Sequence, residues 1–221
     1  MTDRDESVRL AVYRALARTG QLPTVSAVAK DTGLDHPAVE DAIEALAAAR
    51  HLALDADGRI VLAHPFAARN FGFSVMCERT LWWGGCAWDS FAIPHLVPDE
   101  PSVLVATTCP ACGTPHAWVV TRSEEPAGEQ VAHFLVPVSR AWDDVVHTCA
   151  HQRIFCSPSC VDNWLRRSGH ERGAVFGIGA LWRLASRWYE GRLDTPYRRR
   201  EPSEAAAYFA SVGLTGPFWG Q

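Results

Sequence analysis

The chain has 221 residues, 48% of them hydrophobic and 21% charged, which is typical of a globular protein with one or two domains and a buried core. Its formal net charge of -4 excludes a whole-molecule attraction to nucleic acid. Neither a signal-peptide pattern nor a run of about 18 apolar residues occurs. We therefore expect a cytoplasmic protein that does not associate with membranes and keeps its seven cysteines reduced.

The first 66 residues show the pattern of a winged helix-turn-helix. Apolar residues at helical spacing predict a helix at 6–19, and two more helices are predicted within 23–50. The stretch LALDADGRIVLAHPF then predicts a hairpin that turns at 55–58. The third helix carries three acidic residues, Glu40, Asp41 and Glu44, against the single basic residue Arg50, and this negative charge would repel phosphate. A structural role is therefore favoured over DNA binding, and nucleic acid is not an expected partner.

Beyond residue 66 the chain changes to short β-rich runs broken by glycine and proline. SVLVATTC, HAWVVTRS and VAHFLVPV predict strands, and helices are predicted at 87–97, 159–169 and 180–193. The expected fold class is α+β. A winged-helix-like domain at 1–66 precedes a core of short, mostly antiparallel sheets with flanking helices at 67–195. A C-terminal tail at 196–221, with a short helix at 203–211, shows no chemical signature.

Cys86 and Asp89 form a candidate reactive pair. Two glycines precede Cys86 at the start of a predicted helix, where backbone N–H groups and the helix dipole favour a thiolate. Asp89 follows at i+3 and would lie on the same helix face. Spacing alone leaves open that Cys86 is a small buried apolar side chain and Asp89 a helix-end charge.

Several segments in sequence order resemble the organomercurial (alkylmercury) lyase family. LWWGGCAWDSFAIPHLV is similar to its Cys-Ala-x-Asp helix, and TCPACGTP to a strand and turn with a structural cysteine, here Cys109. EPAG followed by FLVP resembles the next hairpin. HTCAH followed by IFCSPSCVDNWL resembles the segment with the second catalytic cysteine, here Cys149. The resemblance covers about residues 5–190, including the predicted winged helix.

The resemblance implies that Cys86 and Cys149 hold mercury and that Asp89 is the acid. Mercury is a soft metal that prefers thiolates, and the carbon it releases must receive a proton. A hydrocarbon and Hg(II) would result, with no cofactor required for catalysis. Organomercurials are then the substrates, low-molecular-weight thiols remove the product, and a mercuric reductase is a candidate partner. The aromatic residues expected to wall the site or pack in the core are Trp82, Trp83, Trp88 and Phe91.

Four cysteines form two closely spaced pairs, C-P-A-C and C-S-P-S-C, a spacing that suits a structural zinc site. Three of them have no counterpart in the family pattern, and the alternative is a set of unrelated thiols. These cysteines are Cys109, Cys112, Cys156 and Cys160. Cys77 is expected in a core strand, and His151 is only a candidate neighbour of Cys149.

Two other functions remain open from the sequence. The chain could be a family member that acts on another soft metal or another substrate with the same pocket. It could also be a zinc-stabilised winged-helix metal sensor or regulator without enzymatic activity. Nucleotide-dependent and serine-hydrolase chemistry are not expected, because the sequence contains no GxGxxG, Walker or GxSxG pattern.

Overall fold

The computed structural model describes residues 1–97 and 100–221, and the fold is α+β as predicted. The α-helices within these ranges are α1 (Asp3–Thr19), α2 (Val25–Thr32), α3 (His36–Ala48), α4 (Ala87–Leu96), α5 (Val145–Ala150), α6 (Pro158–Ser168), α7 (Ile178–Ser186) and α8 (Pro202–Ser211). The strands are β1 (Ala53–Leu54), β2 (Ile60–Ala63), β3 (Phe66–Ala67), β4 (Phe73–Met76), β5 (Leu81–Gly84), β6 (Ser102–Thr108), β7 (Pro115–Thr121), β8 (Val131–Phe134), β9 (Gln152–Phe155) and β10 (Ala174–Gly177).

Helices α1 to α3 begin at side chains that cap a helix, and α1 and α2 end at glycine. The Thr2 side chain accepts from the Asp5 N–H at 3.2 Å, and the Asp35 side chain accepts from the Ala38 N–H at 2.9 Å. Gly20 ends α1 with φ +70°, and a Cβ there would lie 2.0 Å from the Leu81 carbonyl oxygen. Only glycine therefore allows this close approach of α1 to the sheet.

The strands form two antiparallel sheets. The larger sheet has the order β1-β2-β3-β5-β4-β6-β7, and the smaller has the order β10-β8-β9. The predicted hairpin at 53–63 forms the edge of the larger sheet, which therefore continues across residue 66. The division into a winged-helix-like domain, a core and a tail remains a prediction.

Helix α4 lies at the centre of the molecule. Its first eight residues, Ala87 to Pro94, are all buried, as expected for a helix that is apolar around its whole circumference. It packs against α7 on one side and against strands of the larger sheet on the other. Residues at its N-terminus are thereby held in the protein interior.

The predicted helix at 180–193 is only partly correct. Helix α7 ends at Ser186, and a series of turns follows, with Gly191 at φ +77°. These turns bury both Tyr189 and Arg192, and the Arg192 guanidinium donates to the Tyr13 hydroxyl at 3.0 Å. The strand predicted from VAHFLVPV is also shorter, because β8 ends at Phe134.

The C-terminal tail packs back onto the core. Helix α8 confirms the predicted helix at 203–211, and Phe209 stacks on Trp188 with 5.1 Å between ring centroids. Phe209 and Trp219 are buried. Among the described residues, no helix has both the length and the apolar character needed to span a membrane.

Candidate active site

Cys86 occupies the N-cap of α4. Its Sγ accepts from the Asp89 N–H at 3.4 Å, as a capping side chain does. Gly84 and Gly85 leave room for this turn, because a Cβ on Gly84 would lie 2.0 Å from Ser90 Oγ and one on Gly85 would lie 2.5 Å from Asp89 Oδ2. The Gly-Gly-Cys sequence thus places the Cys86 thiol and the Asp89 carboxyl together at the start of a buried helix.

Cys149 reaches the same place from a distant part of the chain. It lies in α5, where the Asp144 side chain accepts from the His147 N–H at 2.9 Å and the Thr148 hydroxyl donates to the Ala141 carbonyl at 3.0 Å. Cys86, Asp89 and Cys149 are at most 4% exposed and line one cavity. The three residues singled out from the sequence therefore meet in space.

Two partners of Asp89 were missed in the sequence. His64 Nδ1 lies 2.9 Å from Asp89 Oδ2 and 4.0 Å from Cys149 Sγ, and the Tyr189 hydroxyl donates to Asp89 Oδ1 at 2.5 Å. Both carboxylate oxygens are thus engaged. No sequence signal identified His64, which lies between strands β2 and β3, or Tyr189, which was assigned to a helix.

The electrostatics of the site favour a thiolate at Cys149. The hydrogen bond from Cys86 lowers the pKa of Cys149 to about 7 despite burial, with help from the charge of His64. Burial alone would lower the pKa of His64, but the charges of Asp89 and Cys149 raise it well above its usual value. Its position between the Asp89 carboxyl and the Cys149 thiol thus favours the imidazolium form of His64.

Cys86 has the opposite character. Burial raises the pKa of the Cys86 thiol well above its usual value, and Cys149 and Asp89 act in the same direction. Burial and the charge of Asp89 also raise the pKa of Tyr189, which keeps its hydroxyl a donor. Burial and neighbouring negative charge thus oppose the thiolate that the helix N-terminus would favour at Cys86. The surroundings thus favour the thiolate at Cys149 and the thiol at Cys86.

The cavity has a volume of about 470 Å³, and aromatic side chains and arginines form much of its wall. Of the four aromatic residues considered from the sequence, only Trp88 lines it. Trp82 instead donates to the Leu16 carbonyl at 3.0 Å, and Phe91 packs on Trp118. The other aromatic residues of the wall are Trp142, Trp188, Tyr189, Tyr197, Phe209 and Trp219, and its arginines are Arg50, Arg192, Arg199 and Arg200. Much of the wall thus comes from the C-terminal tail.

The remaining predicted residues lie elsewhere. The sulfurs of Cys109, Cys112, Cys156 and Cys160 lie within 4.8 Å of one another in a second cluster. Cys77 is half-buried just after β4, and its side chain packs against the main core. His151 bonds through Nδ1 to the His147 carbonyl at 2.8 Å and is not part of the cavity wall.

Comparisons with known proteins identify a family and a similar fold. A sequence model of the family described as MerB, alkylmercury lyase, matches residues 66–190, a range that includes Cys86, Asp89 and Cys149. The crystal structure of the mercury-bound form of MerB2 is similar with a TM-score of 0.67 and 17% sequence identity, covering 88% of this chain and 93% of that chain, which indicates a shared fold. No curated protein matches the sequence.

Proposed function

Since this chain belongs to the alkylmercury lyase family and is thus a carbon–mercury lyase, we propose that it protonolyses organomercurials with Cys149, Cys86 and Asp89. One observation carries this assignment of residues. Two cysteine sulfurs and a carboxyl group from two distant segments line a single cavity, and all three side chains are buried. Two sulfurs can hold a soft metal there, while a carboxyl group lies within reach to move a proton.

The first step is capture of the organomercurial by Cys149. The substrate arrives as an adduct R–Hg–SR′ with a cellular thiol, and the Cys149 thiolate attacks mercury. A bond forms between Cys149 Sγ and mercury, and the leaving thiolate R′S⁻ takes up a proton from solvent. Cys149 suits this role because its pKa of about 7 keeps much of it ionised near neutral pH.

In the second step Cys86 adds to the same mercury and gives up its proton. Asp89 is the acceptor, since Cys86 caps the helix turn that carries Asp89. His64 and Tyr189 fix the two carboxylate oxygens so that the proton is received in a defined position. Two sulfur ligands now donate electron density to mercury and make the attached carbon more basic.

In the third step Asp89 protonates the carbon. The electron pair of the carbon–mercury bond forms the new C–H bond, so that the hydrocarbon R–H leaves and Asp89 is again a carboxylate. Mercury remains as Cys86–S–Hg–S–Cys149, which is neutral. The proton that began on Cys86 ends on carbon, so the raised pKa of this thiol serves the reaction.

Product release requires other thiols. Two low-molecular-weight thiols would exchange for Cys86 and Cys149, returning the enzyme and passing Hg(II) on, with a mercuric reductase as a candidate acceptor. A reducing cytoplasm supplies such thiols, and this supports a cytoplasmic role in mercury detoxification and resistance. The chemistry needs no cofactor. The exposed face of α3 remains acidic, so nucleic acid is not a proposed partner.

Benzene release from phenylmercury in excess thiol tests the proposal. Wild-type protein and Cys77→Ser should release benzene, while Cys86→Ser, Cys149→Ser and Asp89→Ala should not. Mass spectrometry of stalled protein should place mercury on Cys86 and Cys149. Full turnover by Cys149→Ser would sink the assignment of residues. Tight binding of another soft metal, with no turnover of any organomercurial, would indicate a different substrate.

A further inference from the structure

We propose that Cys109, Cys112, Cys156 and Cys160 bind one structural Zn²⁺ as tetrahedral thiolate ligands. Four sulfurs at a zinc–sulfur distance of about 2.3 Å are about 3.8 Å apart. In the structure the four sulfurs lie within 4.8 Å of one another, and Cys112 Sγ and Cys156 Sγ are 3.5 Å apart. The chain is therefore folded around a space that only a small shift would adapt to the ion.

The first two ligands come from the turn between β6 and β7. The Cys109 N–H donates to the Thr114 carbonyl at 2.9 Å, and the Gly113 N–H donates to the Cys109 carbonyl at 2.8 Å. Gly113 has φ +75°, which lets the chain fold back immediately after Cys112. This tight turn aims both sulfurs to the same side.

The other two ligands come from the start of α6. Cys156 directly follows β9, and Cys160 lies in the first turn of the helix, where the Ser157 side chain accepts from its N–H at 3.4 Å. Backbone N–H groups at a helix N-terminus stabilise negative sulfur. His116 Nε2 lies 3.4 Å from Cys156 Sγ, in a position to donate to a ligand thiolate.

The cluster sits over a small separate core. Phe155, Val161 and Leu165 pack with Cys109 apart from the main core. This core is small beside the main one, even with partly buried neighbours such as Trp164 and Val175, and a metal bond between the hairpin and α6 would add to its stability. The location is outside the catalytic cavity, so the proposal is independent of the catalytic assignment.

The donor set fits zinc and argues against a disulfide. An all-sulfur tetrahedral site suits zinc or iron, and a reducing cytoplasm disfavours disulfides. The cysteines are free, and the 3.5 Å between Cys112 and Cys156 is well beyond a sulfur–sulfur bond of about 2.05 Å. Zinc binding would release the protons of the four thiols to solvent and involves no redox change.

Metal analysis of the full-length protein tests the site. Protein purified with reductant, and without chelator or mercury, should contain about one zinc per chain by mass spectrometry. Cys77→Ser and Cys86→Ser should keep that zinc, whereas Cys112→Ser, which changes an exposed ligand, should lose it. Cys112→His should restore zinc binding, because imidazole can replace one thiolate. Zinc retained by Cys112→Ser, or iron or a disulfide in place of zinc, would overturn the proposal.

Cobalt provides a second measurement that needs no variant. Wild-type protein stripped by a chelator and titrated with Co²⁺ should show the intense visible bands of tetrahedral thiolate coordination at one equivalent, and Zn²⁺ should abolish them. A weak octahedral spectrum, or no binding, would refute a four-cysteine site even if Cys112→Ser failed to fold.

Discussion

The proposed catalytic cavity and the proposed four-cysteine zinc site would use the cysteine side chain for opposite purposes. In the cavity, two buried cysteines share their surroundings with an imidazole, a carboxylate and a phenol, and empty space adjoins them. In the cluster, four cysteines face one another, of which one is buried, two are half-buried and one is exposed. A site with only two sulfur ligands can accept a metal that still carries an organic group. A site with four sulfur ligands has no position left for one.

The two regions also differ in the groups that surround their thiols. The cavity lowers the pKa of Cys149 to about 7 and raises that of Cys86, with an imidazolium beside the first. A split in thiol pKa does not by itself separate the two regions, since the hydrogen bond with Thr114 lowers the pKa of Cys112 to about 6 and burial raises that of Cys156 to about 12. The imidazole and the carboxylate beside the cavity thiols are what mark acid and base roles there. In the proposed zinc site all four sulfurs would act alike, as thiolates. Neighbouring groups, rather than the cysteines themselves, distinguish chemistry from structure.

Exchanging one cysteine in each region gives the largest expected effect. Cys149→Ser should lower kcat/KM for phenylmercury by about 10⁴-fold or more, since a nucleophile is lost, and should keep its zinc. Cys112→Ser should lose zinc and keep kcat/KM within about threefold below its unfolding temperature, because it touches no reacting group. Benzene release and metal content measure the two effects. Loss of activity and zinc together in both variants would show that the two regions are not independent.

His64→Gln sharpens the comparison by removing the imidazolium. Wild-type kcat/KM should rise with pH through about 7, since deprotonation of Cys149 makes the reactive thiolate, and should level off above. Without the charge of His64 the pKa of Cys149 rises, so this limb moves to higher pH. We expect kcat/KM of His64→Gln to be about 30-fold below that of the wild type at pH 7 and about threefold below it at pH 9.

The matched control for this prediction is His151→Gln. His151 follows Cys149 closely in sequence but does not line the cavity. The pH profile of His151→Gln should match that of the wild type when the concentration of ionised low-molecular-weight thiol in the assay is the same at every pH. An unshifted limb in His64→Gln would contradict the role of His64 in holding the Cys149 thiolate.

Tyr189→Phe tests the other hydrogen bond to Asp89. Removing a donor to a charged group costs about 1.4 kcal/mol, or about tenfold in rate. We expect the loss in kcat with little change in KM, because Asp89 acts after mercury is bound. Single-turnover benzene release at saturating phenylmercury measures it, and Tyr208→Phe, which bonds only to backbone groups, is the control. A loss confined to KM would argue against a role in positioning Asp89.

The sequence predicted the local features and missed those made by long-range packing. The cap of α4, the Cys86 to Asp89 spacing and the two cysteine pairs are short patterns, and the structure contains them. His64 and Tyr189 are 25 and 100 residues from Asp89, so no spacing rule connects them. The pKa order of Cys86 and Cys149 likewise depends on burial and on His64. The tail lacked any motif because it contributes aromatic and arginine side chains to the cavity wall rather than the proposed reacting groups.

Trp142→Leu should have the smallest effect, because it changes the wall and leaves the reacting groups intact. Trp142 lies edge-on to His64 with 5.8 Å between ring centroids. The Arg199 guanidinium lies 4.8 Å from the centroid of the Trp142 ring. Losing this aromatic surface should raise KM for phenylmercury about threefold and raise KM for methylmercury less, since a methyl group offers no ring to stack. Trp83→Leu, in the sheet and outside the cavity, is the matched control. Equal increases for both substrates would mean that Trp142 supports His64 rather than the organic group, because the position of His64 affects every substrate alike.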